Sequence, residues 1–157
     1  MASQIFKVDG LKELDAALVE LADTYGEKKV KPLLTRVLKK SGEPIRAAGE
    51  ANAPKLTGRL KLSYTVSTKL SRSQKRANVK ESMVEVYVGP GPHPKGLQTE
   101  FGNAHQAPEP HLRPAFDSQV DQSLTIVKSE LADDIARTTK RLGRKAARDA
   151  AKMKSGR

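Results

Sequence analysis

The sequence predicts an α+β fold: a small antiparallel β-sheet packed against helices, with a long C-terminal helix and a basic tail. Three observations predict it. Apolar residues recur at helical spacing in the first third of the chain. They alternate at spacing two in the middle. From Phe116 onward they form one long near-heptad stripe.

Gln4 to Val8 alternates and reads as a short edge strand, with Ile5, Phe6 and Val8 as the candidates for burial. Asp9-Gly10 breaks it, and Asp9 is placed to cap a helix carrying Leu11, Leu14, Leu18 and Leu21 on one stripe. That helix is expected to end at Tyr25-Gly26, where glycine accepts a left-handed cap. A second helix begins between Glu27 and Pro32, with Leu33, Leu34, Val37 and Leu38 on its apolar face. Pro44 removes a helical hydrogen bond, so a kink or break is expected in Ser41-Gly42-Glu43-Pro44. Helical spacing resumes through Ile45, Ala47, Ala48 and Ala51 to Asn52, and Ala53-Pro54 ends it.

Leu60 to Leu70 holds Leu62, Tyr64, Val66, Thr68 and Leu70 at spacing two, a half-buried strand. Ser71 to Lys80, polar and basic, reads as a mobile hairpin loop. Ser82 to Gly89 reads as the partner strand, with Val84, Val86 and Val88 on one face. Three prolines and three glycines make residues 89–96 an irregular loop, and residues 97–111 are loop-like as well.

Leu112-Arg113-Pro114-Ala115-Phe116 opens the longest helix. Its stripe is Phe116, Val120, Leu124, Val127, Leu131, Ile135, Thr138 and Leu142. Over roughly 27 residues it spans about 40 Å. A two-stranded sheet cannot cover that length, so part of it must pack on the front helices or on another subunit. The chain therefore divides into one α+β domain, residues 1–136, and a basic helical extension or tail, residues 137–157.

Composition narrows the function. Among 157 residues, 29 Lys+Arg stand against 18 Asp+Glu, a net charge of +11. The balance favours an acidic partner such as nucleic acid or an acidic protein surface. Arg137, Lys140, Arg141, Arg144, Lys145, Arg148, Lys152, Lys154 and Arg157 face only Asp149 in the last stretch. These cations favour contact with DNA or an acidic partner about as strongly as a solvated, frayed tail. Cations near a helix C-terminus gain only about 0.3–1 kcal/mol each, and only in the last turn, which does not account for nine.

The absence of cysteine removes thiol nucleophiles, disulfides and Cys-based zinc sites. No segment approaches the length of a membrane span, and Met1 to Asp9 lacks a signal pattern. His93, His105 and His111 sit at spacings that fit no metal motif and read as exposed loop residues. No nucleophile elbow or phosphate-binding glycine loop is present, and the prolines of Gly89-Pro90-Gly91-Pro92 remove the N–H groups such a loop needs. No catalytic residue, cofactor or metal site is therefore assigned.

Three ordered stretches carry a resemblance. They are Ala53-Pro54-Lys55-Leu56-Thr57-Gly58-Arg59-Leu60-Lys61-Leu62-Ser63, then Val86-Tyr87-Val88-Gly89-Pro90 followed by Thr99-Glu100-Phe101-Gly102-Asn103, then Pro110-His111-Leu112-Arg113-Pro114-Ala115-Phe116. With Gly10-Leu11-Lys12-Glu13-Leu14, they resemble the tail-completion, or head–tail joining (neck), protein family of tailed bacteriophages, from about Val8 to Ile135. The resemblance implies a non-catalytic virion protein, made in the host cytoplasm, that forms a homo-oligomeric ring around the DNA channel. A hexamer is favoured over a dodecamer. Its neighbours would be the phage connector or stopper and the tail-terminator or tail-tube proteins. The alternatives are a tail-tube terminator ring or a small non-specific DNA-binding protein acting through its basic C-terminus.

The motif residues have physical roles beside that resemblance. Thr57 and Gly58 make a turn, with Gly58 free to take positive φ. Arg59 flanks a strand start that Leu60 anchors. Phe101 is expected to plug the core between Glu100 and Gly102, and Glu100 to pair with Arg113 or a neighbouring subunit. Pro114 sets the first helical turn and Phe116 lies on the core face. These residues read first as scaffold and second as subunit interface. His111 departs from the family pattern, which commonly has an aromatic there.

Overall fold

A computed structural model describes residues 26–55 and 58–155, together with Val19 and Asp23. The expected strand Gln4–Val8 and the helix opening at Leu11 lie outside the described residues. Gly26 has φ +75° with ψ 146°, so it takes a positive φ but not the left-handed helical cap expected of it.

The described chain runs α1 (Glu27–Asn52), α2 (Arg59–Leu62), β1 (Tyr64–Ser67), α3 (Arg72–Ala77), β2 (Tyr87–Pro90), α4 (Pro94–Phe101) and α5 (Leu112–Ser155). The fold is α+β, as the sequence predicts. Two long antiparallel helices, α1 and α5, form its frame, and the two-stranded sheet lies against α1.

No break occurs at Ser41–Pro44, because α1 continues through both Pro32 and Pro44. Pro44 still leaves the Lys40 carbonyl without its helical donor. Packing on both sides of it holds the helix together: Val37, Ser41 and Ile45 are all buried. The helix stops at Asn52, where Ala53 turns extended ahead of Pro54.

The sheet uses less of the chain than alternation suggests. β1 and β2 pair antiparallel over four residues, Tyr64 with Pro90 through Ser67 with Tyr87. Leu60 and Leu62 belong instead to the helical turn α2, which follows Gly58 at φ +70°. Leu62 is 84% exposed, so the predicted apolar face begins only at Tyr64. Beyond β1, Ser71 and Gln74 form a reciprocal capping box that starts α3 where a loop was expected. Val84 and Val86 precede β2 as half-buried, non-strand residues.

Two glycines explain how the sheet sits so close to α1. A Cβ on Gly42 would lie 2.9 Å from Val88 Cγ2 and 3.0 Å from Val66 Cγ1. A Cβ on Gly49 would lie 2.4 Å from Tyr64 Cε1. The two glycines are seven residues apart, hence on one face of the helix. That face is a shallow seat for both strands.

The region 89–111 is also more regular than its composition suggests. Gly89 and Pro90 close β2, and α4 starts at Pro94, with proline tolerated in its first turn and the His93 ring accepting from Lys95 N–H. Gly102 ends α4 at φ +74°, and a Cβ there would meet the Gln106 carbonyl at 2.9 Å.

α5 runs unbroken for 44 residues, about 66 Å, straight through Gly143 and across the 136/137 boundary. Antiparallel docking on α1 is marked by Asn52 Nδ2 donating to the His111 carbonyl, by the Lys40–Glu130 pair and by the Arg36–Asp134 pair. Among the described residues its buried positions are Ala115, Ser123, Leu131 and Asp134, with Val120, Leu124, Val127 and Ile135 half-buried. Phe116 is not on the core face: it is 47% exposed. It borders an open groove of about 670 Å³ lined by Leu38, Ile45, Val86 and Leu112, which the short sheet does not reach across to fill.

Candidate functional site

The motif residues converge on the N-terminus of α5. The first N–H groups of a helix have no partner inside it and carry partial positive charge. The Glu100 carboxylate, delivered by α4, supplies what they lack. Oε2 accepts from the N–H of His111 and of Leu112, each at 2.8 Å, and Oε1 accepts from Arg113 N–H at 3.0 Å. The Arg113 side chain closes the arrangement. Its Nε donates to Oε1 at 3.1 Å and its Nη2 to the Glu100 backbone carbonyl at 2.9 Å.

Glu100 is buried, which alone raises a carboxyl pKa, yet the bonds from Leu112, His111 and Arg113 outweigh that and hold it at about 2. At neutral pH the carboxylate is an anion inside the fold. Of the two partners proposed for Glu100, Arg113 of its own chain is the one present.

Behind the carboxylate sits a second polar layer. His111 is 1% exposed, so it is a core residue rather than an exposed loop histidine. Its Nδ1 is hydrogen-bonded to the Tyr64 hydroxyl and lies 3.4 Å from Glu100 Oε2. The two rings meet edge to face at 5.6 Å. Burial, and then the charge on Glu100, push the Tyr64 hydroxyl pKa up. Tyr64 also packs with Leu60 and Ala53, and Leu112 closes over that cluster. One continuous set of contacts thus links Leu60, in the first motif stretch, to Glu100 and Arg113 in the second and third.

Phe101 does not plug the core. It ends α4 facing outward, 61% exposed, with the Arg113 guanidinium 4.9 Å from its ring centroid. The reason is local. α4 turns Gly96, Thr99 and Glu100 inward, and a Cβ on Gly96 would already touch Pro90 at 2.8 Å. Phe101, one residue on from Glu100, points away. Leu97 shares its face at helical spacing and is 72% exposed.

Other motif residues are scattered around this clamp. Gly58 has the positive φ expected of it, Arg59 and Pro114 are exposed, and Leu60 is buried. Thr57 lies outside the described residues. Sequence reasoning missed Tyr64 and His111 as site members. The available signal was His111 immediately before a helix start, where a side chain or its neighbour must meet orphan N–H groups.

The basic cations occupy a separate place. Arg137, Lys140, Arg141, Arg144, Lys145, Arg148 and Lys152 are all exposed on the distal half of α5. The Lys154 side chain lies outside the described set. Among the described residues no cluster of three or more His, Asp or Glu is placed to hold a metal ion. No helix there is long and apolar enough to cross a membrane. No protein-family profile, curated protein or solved structure gives a significant match to the chain.

Proposed function

We propose that the chain is a structural virion protein of a tailed phage. Its subunits form a ring in the neck that completes the tail or joins head to tail around the DNA channel. The ordered resemblance of residues 53–63, 86–103 and 110–116 motivates the reading. The observation that carries it is the setting of Phe101. A residue expected in the core is instead displayed with Leu97, on a base fixed by Glu100, Arg113, His111 and Tyr64. Phe116 lies exposed three residues beyond Arg113.

Large apolar side chains held rigidly at a surface suit a protein–protein contact. Ring assembly needs head-to-tail contacts between identical subunits, which such a patch can make against a different face of the next copy. Nothing in the clamp supplies a nucleophile or a base at an open site: Glu100 is consumed by donors, and His111 and Tyr64 are enclosed.

Light scattering across a wide concentration range, with negative-stain imaging, tests the reading. Rings of six or twelve copies with a hole wide enough for duplex DNA are expected. A stable monomer or dimer at every concentration, with Phe101 and Phe116 still open to solvent, overturns it.

A further inference from the structure

We propose that residues 137–152 of α5 form a binding face for the phosphate backbone of duplex nucleic acid, engaged without regard to base sequence. The proposal does not rest on ring assembly.

The helix is bipartite in charge. From Leu112 to Ala136 it carries two bases against five acids, and two of those acids, Glu130 and Asp134, are paired to Lys40 and Arg36 of α1. From Arg137 to Lys152 it carries seven bases against one acid. The first part fastens the helix to its own domain, and the second has the opposite sign.

The seven cations are one-sided. At about 100° per residue, they all fall within an arc of about 140°. Every Lys and Arg between 137 and 152 lies on that arc, and position 149, the one acid, falls outside it. This one-sidedness depends on the helix passing through Gly143 without a break. All seven are exposed. A frayed tail has no such face.

The face spans about 22 Å along the helix axis. Duplex DNA presents one charge per roughly 1.7 Å of its axis with both strands counted, so that length of duplex carries about a dozen phosphates, of which the face can meet those turned towards it. Residues 137–157 contain no aromatic on which single-stranded bases would stack and no Asn or Gln to read adenine edges. Their large apolar residues are Leu142 and Met153 alone, too few for an interfacial membrane helix. Duplex phosphate is the polyanion that this combination fits.

The test uses the full chain and fluorescence anisotropy with two labelled DNA duplexes of unrelated sequence, titrated over KCl concentration. Similar affinity for both is expected, with log K falling linearly in log salt. Arg141→Gln/Arg144→Gln/Arg148→Gln should make that slope shallower by about 2.7, at roughly 0.9 per lost contact. Arg72→Gln/Lys75→Gln/Arg76→Gln removes the same charge from exposed α3 and should leave the slope unchanged. Circular dichroism confirms that both variants fold. Equal weakening by the two variants reduces the effect to bulk charge and overturns the proposal. So does an unchanged slope in the α5 variant, an absence of duplex binding, or tighter binding to phosphatidylserine vesicles than to duplex. Solution mass, measured in parallel, reports on ring assembly separately.

Discussion

Arg113 holds Glu100 at three points: through its backbone N–H at 3.0 Å, its Nε at 3.1 Å, and its Nη2 on the Glu100 carbonyl at 2.9 Å. Two consecutive helices, α4 and α5, are thereby locked end to end across the loop that joins them. The same guanidinium faces the Phe101 ring. A buried charge network thus fixes the position of an exposed aromatic, so stability and surface presentation depend on one residue pair.

Acid should release this lock. The Glu100 carboxyl has a pKa of about 2 in the fold against an ordinary 4.5, since the bonds from α5 outweigh burial. Its folded value lies below its unfolded one, so its contribution is complete above about pH 5. It is lost as pH falls through 4.5 towards 2, by about 3 kcal/mol. Glu100→Gln places an NH2 among N–H donors and should cost about 2–3 kcal/mol at pH 7. Urea unfolding from pH 7 to 2.5 checks both statements. The variant should lose the part of the acid slope that Glu100 provides, and an identical slope in both proteins would contradict the assignment.

Gly49 and Gly143 should respond oppositely to alanine. Both lie inside helices, where alanine is intrinsically favoured by about 1 kcal/mol. At Gly143 a Cβ meets nothing within 4 Å, so Gly143→Ala should stabilise by about 0.5–1 kcal/mol. At Gly49 it meets the Tyr64 ring at 2.4 Å, so Gly49→Ala should destabilise by about 1–3 kcal/mol. Thermal melts of the two variants give the comparison, and matching signs would refute the close seat of β1 on α1.

These contrasts mark what was legible in the sequence. The long C-terminal helix and the existence of two strands in the middle of the chain follow from spacing, which registers local periodicity directly. The observed strands, Tyr64–Ser67 and Tyr87–Pro90, are shorter than the expected Leu60–Leu70 and Ser82–Gly89, and Pro90 was expected in a loop. The Glu100–Arg113 pair was visible as a candidate. Periodicity misled at Leu60–Leu62, where a positive φ at Gly58 starts a helical turn instead of a strand. At Pro44 the missing proline N–H pointed to a kink or break, while the helical spacing on either side of it agreed with the unbroken α1 that packing maintains. The roles of His111 and Phe101 were hidden for a related reason. Which side chain goes inward on α4 is decided by the orphan N–H groups of α5, a contact between two elements that no periodicity within either records.

Removing Phe101 or Phe116 should affect association more than folding. A buried phenylalanine costs about 3–5 kcal/mol when cut to alanine, and the sequence pattern placed Phe116 in that class. Exposed as they are, Phe101→Ala and Phe116→Ala should each cost about 1 kcal/mol or less. Under the proposed ring assembly, either substitution should shift the solution mass towards smaller species. A large fall in melting temperature would return these residues to the core. Unchanged mass in both variants would remove them from the subunit contact.

Truncation after Ala136 should leave a folded domain. Among the described residues, the last buried positions on α5 are Leu131 and Asp134, and the last ion pair described to α1 is that of Asp134 with Arg36. Beyond them, Arg137 reaches Asp134 at 3.9 Å, an exposed contact worth well under 1 kcal/mol. The truncation also removes a block of like charge whose self-repulsion opposes compact folding. The expected melting shift is therefore below about 4 °C in either direction, the equivalent of about 1 kcal/mol at this chain length. Duplex binding should fall to the level of the remaining surface, while any ring assembly persists, because Leu97, Phe101 and Phe116 are untouched. Differential scanning calorimetry with light scattering on the truncated chain decides it. Failure to recover folded protein would show that the distal half of α5 supports the domain through contacts of its own.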